Sequence, residues 1–162
     1  KERFMMSKEI ERKFLVKNLD WKSQAKGTLY RQGYLNSEKE RTVRVRTIDE
    51  KSFITVKGIT TGVTRMEFEY EIPFADATQM LDKLVEKPII EKYRYKLAQD
   101  GLVWEIDEFL GDNEGLVVAE VELADAQQAL VRPDWLGEEV SSDPRYFNNN
   151  LVANPYKNWR TS

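Results

Sequence analysis

Between Arg65 and Glu71 every second residue is charged, and Met66, Phe68 and Tyr70 occupy the places between them. Successive side chains of a β-strand point to opposite faces, so such a segment folds as a strand with one charged and one apolar side. The pattern recurs. Val43-Arg44-Val45-Arg46, Lys92-Tyr93-Arg94-Tyr95, Glu105-Ile106-Asp107 and Glu120-Val121-Glu122 all alternate in the same way, and Lys57 ends Ile54-Thr55-Val56-Lys57. In an ordinary antiparallel sheet the charged face meets water and the apolar face meets the core. Here, however, the signs are segregated. Arg44 with Arg46 and Lys92 with Arg94 are all-basic, whereas Glu67 with Glu69, Glu105 with Asp107 and Glu120 with Glu122 are all-acidic. A face built for solubility intersperses signs, because like charges close together repel. Blocks of one sign suit an anionic ligand that brings cations with it.

The segment Glu9-Ile10-Glu11-Arg12-Lys13 adds a further strand of this kind. Its Glu9, Glu11 and Lys13 share a face, the two carboxylates about 6.6 Å apart. Two carboxylates so placed suit a divalent cation, and an ammonium beyond them suits a phosphate oxygen. Arg12 falls on the outer face with Ile10 and Phe14, where surface or packing duty is expected. Arg65, Glu71 and Glu105 lie at the ends of charged faces and read equally well as mouth residues or as salt-bridge partners.

Short β-branched or aromatic runs bounded by polar or glycine turns predict strands at Thr28–Leu35, Thr42–Ile48, Ser52–Lys57, Thr64–Ile72, Ile89–Leu97, Leu102–Phe109 and Gly115–Leu123. Gly58–Gly62 and Lys96–Gly101 read as hairpin connections. A helix is expected at Ala77–Val85, with Asp76 as N-cap, Gln79 as its capping-box partner and Pro88 preventing continuation. A second is expected at Ala126–Val131 behind Asp125, and a third from Asp143-Pro144 onward. The fold class is therefore mostly antiparallel β with packed helices, in one domain spanning residues 6–162. Lys1–Met5 read as an upstream remnant before a plausible start at Met6.

Composition narrows the chemistry. The 162 residues contain neither His nor Cys, which excludes His-based triads, thiolate nucleophiles, disulfides and Cys-zinc sites. Any catalysis must use carboxylates, amines, hydroxyls or a metal bound through oxygen. With 25 Lys and Arg against 28 Asp and Glu, the net charge of −3 argues against a nucleic-acid surface. No apolar run reaches the length of a membrane span and no signal peptide is visible, so neither a membrane nor a nucleic-acid partner is expected and the cytoplasm is the expected location.

If the charged alternates point into a closed barrel, the interior must be wet and charge-balanced. Each isolated buried ion costs several kcal/mol against a total stability of roughly 5–15 kcal/mol. Polyphosphate and metal would balance that interior in the working state.

The opening Glu9-x-Glu11-x-Lys13 is followed in order by Arg44-x-Arg46, Lys57, Glu67-x-Glu69, Lys92-x-Arg94, Asp107 and Glu120-x-Glu122. Over roughly residues 8 to 151 this series resembles the CYTH superfamily, the triphosphate tunnel metalloenzymes. Arg31-Gln32-Gly33-Tyr34-Leu35, Trp135-Leu136-Gly137-Glu138-Glu139-Val140 and Asp143-Pro144-Arg145-Tyr146-Phe147-Asn148 look most like the small bacterial members that hydrolyse inorganic triphosphate. The resemblance implies an eight-stranded antiparallel tunnel, a triphosphate-type substrate and Mg²⁺ or Mn²⁺, and leaves room for a homodimer.

It also implies roles. Lys13, Arg44, Arg46, Lys57, Lys92 and Arg94 would hold phosphate oxygens. Glu9, Glu11, Glu120 and Glu122 would bind metal, as oxygen donors suit these ions. Glu67, Glu69 and Asp107 would complete a second metal shell or hold and deprotonate the attacking water. A class IV adenylate cyclase and a nucleoside or thiamine triphosphatase would share every one of these residues. A non-catalytic polyphosphate-binding module would need only the basic ones, so the paired acids speak against it.

Overall fold

The computed structural model describes residues 2–4, 10–59, 64–124 and 127–159. Contacts divide the chain into two compact units, Lys1–Ser7 with Leu29–Glu91 and Lys8–Thr28 with Lys92–Ser162. Ten strands are assigned among the described residues, and every pairing given below is antiparallel.

The first unit contains β1 (Glu2–Phe4), β3 (Thr28–Asn36), β4 (Arg41–Ile48), β5 (Lys51–Gly58), β6 (Thr64–Ile72) and helix α1 (Phe74–Lys83). Its strands lie in the order β1-β6-β5-β4-β3. The segment read as a remnant thus supplies β1, with Glu2 opposite Met66. Ile48 pairs with Lys51, so the β4–β5 turn has two residues, and Asp49 takes a positive φ of 52° within it. Val45, Ala77, Leu81 and Val85 form the core beneath α1, flanked by Leu35, Ile54, Ile72, Met80 and Ile89. Burying each larger aliphatic side chain is worth about 1.5–3 kcal/mol. Gly33 permits this packing, because a Cβ there would come within 2.7 Å of Val85 Cγ2.

Helix α1 begins three residues earlier than its expected start. The carbonyl of Pro73 accepts from Ala77 N at 3.1 Å and opens the helical ladder, which places Asp76 in the first turn instead of at the cap. A carboxylate there still favours the helix, by its interaction with the exposed N–H groups.

The second unit contains β2 (Ile10–Val16), β7 (Ile90–Gln99), β8 (Leu102–Phe109), β9 (Val117–Leu123), β10 (Leu136–Glu139) and helix α2 (Asn148–Ala153). The order is β7-β8-β9-β2-β10. Gln99 pairs with Leu102, leaving Asp100 and Gly101 as a two-residue turn with φ of 52° and 76°. Asp-Gly suits a turn that requires positive φ twice. The apolar face packs Phe14, Trp21, Tyr95, Leu97, Trp104, Ile106 and Val121 with Trp135 and Leu136. Trp104 meets Phe14 and Trp135 edge-on, at 5.7 and 5.4 Å between ring centroids. Each such pair adds about 0.5–1.5 kcal/mol to the area buried.

The helix expected at Ala126–Val131 does not form over residues 127–131; Asp125 and Ala126 lie outside the described residues. Gln128 Oε1 accepts from the backbone of Ala124 and holds the segment as a turn, and Pro133 disfavours helical backbone just before it. The third expected helix is present in two pieces. Asp143 caps a 3₁₀ turn at Pro144–Tyr146, and α2 follows it.

On the outer face Arg12 makes two bonds to Glu139, at 2.6 and 2.9 Å, and stacks on Phe14. The bonds from Arg12, with help from Ser141, hold the Glu139 carboxyl down at about 2. A depressed carboxylate contributes stability above its ordinary pKa, and that contribution is lost as pH falls through the folded value. Glu139→Gln should therefore flatten the acid side of a melting-temperature curve between about pH 4.5 and 2. The change should be small, as exposed pairs are worth at most about 1 kcal/mol. Superimposable acid limbs for parent and variant would refute this.

Candidate active site

In the first unit, register decides which side chains meet. Arg44 stands opposite Thr55, and Thr55 opposite Glu69; Lys57 stands opposite Glu67, and Arg46 opposite Phe53. Directly opposed residues share a face. Arg44, Arg46, Lys57, Glu67 and Glu69 therefore all lie on the face away from α1. Lys57 Nζ is 3.3 Å from Glu67 Oε1, and Thr55 Oγ1 donates to Glu69 Oε2 at 2.9 Å. The Nε atoms of Arg44 and Arg46 are buried, and neither has a hydrogen-bond partner among the described residues. Burial and then the neighbouring charge of Arg46 lower the pKa of Arg44. Two crowded guanidiniums with open donors form a place prepared for an anion.

In the second unit the charged face runs across β2, β9, β8 and β7. Glu11 opposes Glu122, Lys13 opposes Glu120, Glu120 opposes Glu105 and Asp107 opposes Arg94. Lys13 Nζ lies 3.0 Å from Glu120 and 3.9 Å from Glu11. Glu11, Glu105, Glu120 and Glu122 line a pocket of about 580 Å³ that reaches Leu102, Val103 and Gln128. Burial, and next the charge of Glu120, raise the pKa of Glu11, an effect that the nearby Lys13 only partly offsets. No three described His, Cys, Asp or Glu residues converge as a metal cage. Glu9 lies outside the described residues, as does the side chain of Arg65.

Asp107 differs from the other acids. It is 2% exposed, and both its oxygens accept from Arg94, at 2.8 and 2.9 Å, while Lys92 Nζ stands 2.8 Å away. Burial alone would raise its pKa, but Lys92 and Arg94 outweigh burial and bring it below the usual value. Lys92 is equally buried, and loss of solvent lowers its own pKa. Arg94 also approaches Glu105 at 3.6 Å. The residue read as a candidate water-holding acid is thus fully engaged with two of the cations read as phosphate-holding.

Two contacts came from outside the charged strands. The Phe147 ring lies 5.5 Å from Lys13 Nζ, and Asn148 Oδ1 accepts from Lys92 Nζ at 3.4 Å. Both residues belong to the start of α2. Neither carries a charge or a period-two pattern, so only the likeness of the 143–148 segment to known C-terminal helices pointed there.

Residues 7–156 match the CYTH domain. An inorganic triphosphatase of Acetivibrio thermocellus is 56% identical over 155 residues, covering 96% of this chain and 99% of that protein. An inorganic triphosphatase of Nitrosomonas europaea is 39% identical over 150 residues, covering 89% and 96%. A crystal structure of an inorganic triphosphatase superposes with a TM-score of 0.75 at 34% identity, covering 91% of this chain and 96% of that one.

Proposed function

The chain belongs to the CYTH family, and from that premise we propose that it hydrolyses inorganic triphosphate to phosphate and diphosphate. The observation that carries this reading is the pair of buried guanidinium Nε atoms of Arg44 and Arg46, left without partners among the described residues on a charged sheet face. The two inorganic triphosphatases, alike to this chain over nearly their whole length, support the choice of substrate. We further propose that strands β2 to β9 form the closed eight-stranded tunnel implied by the resemblance, with the charged alternates inward, in one domain spanning residues 6–162. The cytoplasm is the proposed location.

The donor set suits Mg²⁺ or Mn²⁺, because the acids are hard oxygen donors and Lys13 only partly offsets the burial and the Glu120 and Glu122 charges that raise the Glu11 pKa. Glu11, Glu120 and Glu122, with Glu9, would hold the ion. The bound ion would neutralise phosphate charge and make water a better nucleophile. Arg44, Arg46, Lys57 and Lys13 grip the phosphate oxygens and stabilise the charge that develops on the departing diphosphate. Lys92 and Arg94 do the same from the other strands, each oriented by Asp107, which we therefore assign to positioning and not to proton abstraction. Glu67 and Glu69 remain to orient the attacking water and accept its proton, with Thr55 fixing Glu69.

Tripolyphosphate, ATP and thiamine triphosphate, each assayed with Mg²⁺ and with Mn²⁺ for phosphate, diphosphate and cyclic AMP, test the reading. Tripolyphosphate should show by far the highest kcat/KM, since every recognisable group addresses phosphate and a nucleoside adds bulk without contacts. Equal or better kcat/KM for ATP, or cyclic AMP as the main product, would transfer the assignment to a nucleotide-directed member of the same fold.

A further inference from the structure

Gln32 is 5% exposed in the middle of β3. Its register places it directly opposite Arg46, with Tyr34 opposite Arg44. It therefore belongs to the charged face, while Gly33 beside it turns toward Val85 and Ile89 on the helix-covered side. Buried polar side chains ordinarily find partners. Gln32 makes no side-chain hydrogen bond among the described residues, and its carboxamide, which is not among the sealed unsatisfied polar atoms, keeps some contact with solvent. On the adjacent strand, by contrast, the Nε atoms of Arg46 and Arg44 are sealed from solvent and have no partner among the described residues. The two sealed guanidinium donors cost the fold stability, and with the amide beside them they leave this face ready for an oxyanion.

We propose that Gln32 is a substrate-binding residue whose carboxamide N–H donates to an oxygen of the triphosphate held by Arg44 and Arg46. This rests on the reading of the chain as a triphosphatase. The neutrality of the side chain is what the position demands. Arg44 and Arg46 already share a face two residues apart, so a third cation would add repulsion. A carboxylate would pair with Arg46 and cancel the charge that the anion needs. An amide adds a donor and leaves the balance of charge alone.

The test compares Gln32→Met, close in shape, and Gln32→Glu with the parent protein. Tripolyphosphate affinity is measured by calorimetry in metal-free buffer, kcat/KM with metal added, and the thermal midpoint in both. Gln32→Met should keep or raise the midpoint while weakening tripolyphosphate by about 10- to 100-fold, the scale of a hydrogen bond to a charged group. Gln32→Glu should weaken binding further and raise the midpoint through its new pair with Arg46. A midpoint that falls in step with activity, or affinity within twofold of the parent in either variant, would overturn the proposal. A parent protein that binds tripolyphosphate without cleaving it would sink the triphosphatase reading alone, because the binding comparison stands without turnover. A parent that binds no polyphosphate would sink both.

Discussion

Asp107→Ala should cost about 3–5 kcal/mol of stability, enough to leave a protein of ordinary stability barely folded. The carboxylate is 2% exposed and neutralises Lys92, also 2% exposed, while accepting two bonds from Arg94. Deleting it strands Lys92 out of reach of solvent and leaves Arg94, which is 16% exposed, with Glu105 as its remaining acid. Burial already lowers the pKa of Lys92 with Asp107 present, and it should fall further without it. A lysine with a depressed folded pKa binds fewer protons folded than unfolded, so the variant should regain stability as pH rises toward the ordinary lysine value. The parent has a complementary acid limb: Asp107 holds its depressed pKa in the folded state, and its contribution is lost as pH falls through that value. Combining Asp107→Ala with Lys92→Met should recover part of the loss, since the buried charge goes with its partner. Urea unfolding of the single and double variants measures this. A single variant within 1 kcal/mol of the parent, or a double variant no better than the single, would show that the pair is not what holds this sheet.

The face of each charged strand was legible before any coordinates, because an alternation of period two assigns faces whatever the register. Register itself was not. That Arg44 meets Thr55 and Glu69, or that Arg94 meets Asp107, depends on turn lengths such as the two-residue Asp100-Gly101 connection. The consequence is chemical: Asp107 looked like one acid among several, and only its pairing shows that both oxygens are already engaged. Strand β10 was missed because Leu136-Gly137-Glu138-Glu139 has no alternation, and its place comes from pairing with β2. The start of α1 was displaced because a capping pattern at Asp76 competed with the carbonyl of Pro73, which makes the first helical bond. A neutral polar residue on a charged face, as Gln32 is, leaves no trace in a pattern of charge. Residues that act by being uncharged are invisible to a reading built on charge.

Glu11→Gln should lower metal-dependent triphosphate turnover by about 100-fold or more, with no loss of stability in the metal-free protein. Even a group behind a metal ligand is commonly worth 10–100-fold, and a ligand should be worth no less. The Glu11 side chain is 50% exposed, faces Glu122 directly across the strands, and shares its pocket with Glu105 and Glu120. Like charges so opposed destabilise a sheet. Burial and Glu120 raise the Glu11 pKa, which means that ionising it costs folding free energy as pH climbs above the ordinary carboxylate value of 4.5. The amide keeps the shape and removes that repulsion, so the metal-free midpoint should hold or rise. Metal should reverse the order. A ligand that binds only the folded state stabilises it by mass action, so Mg²⁺ or Mn²⁺ should raise the parent midpoint more than that of the variant. Chelation by EDTA should abolish turnover in the parent and erase this difference. Turnover of Glu11→Gln within tenfold of the parent, or full parental activity in EDTA, would remove Glu11 from the metal site and the metal from the reaction.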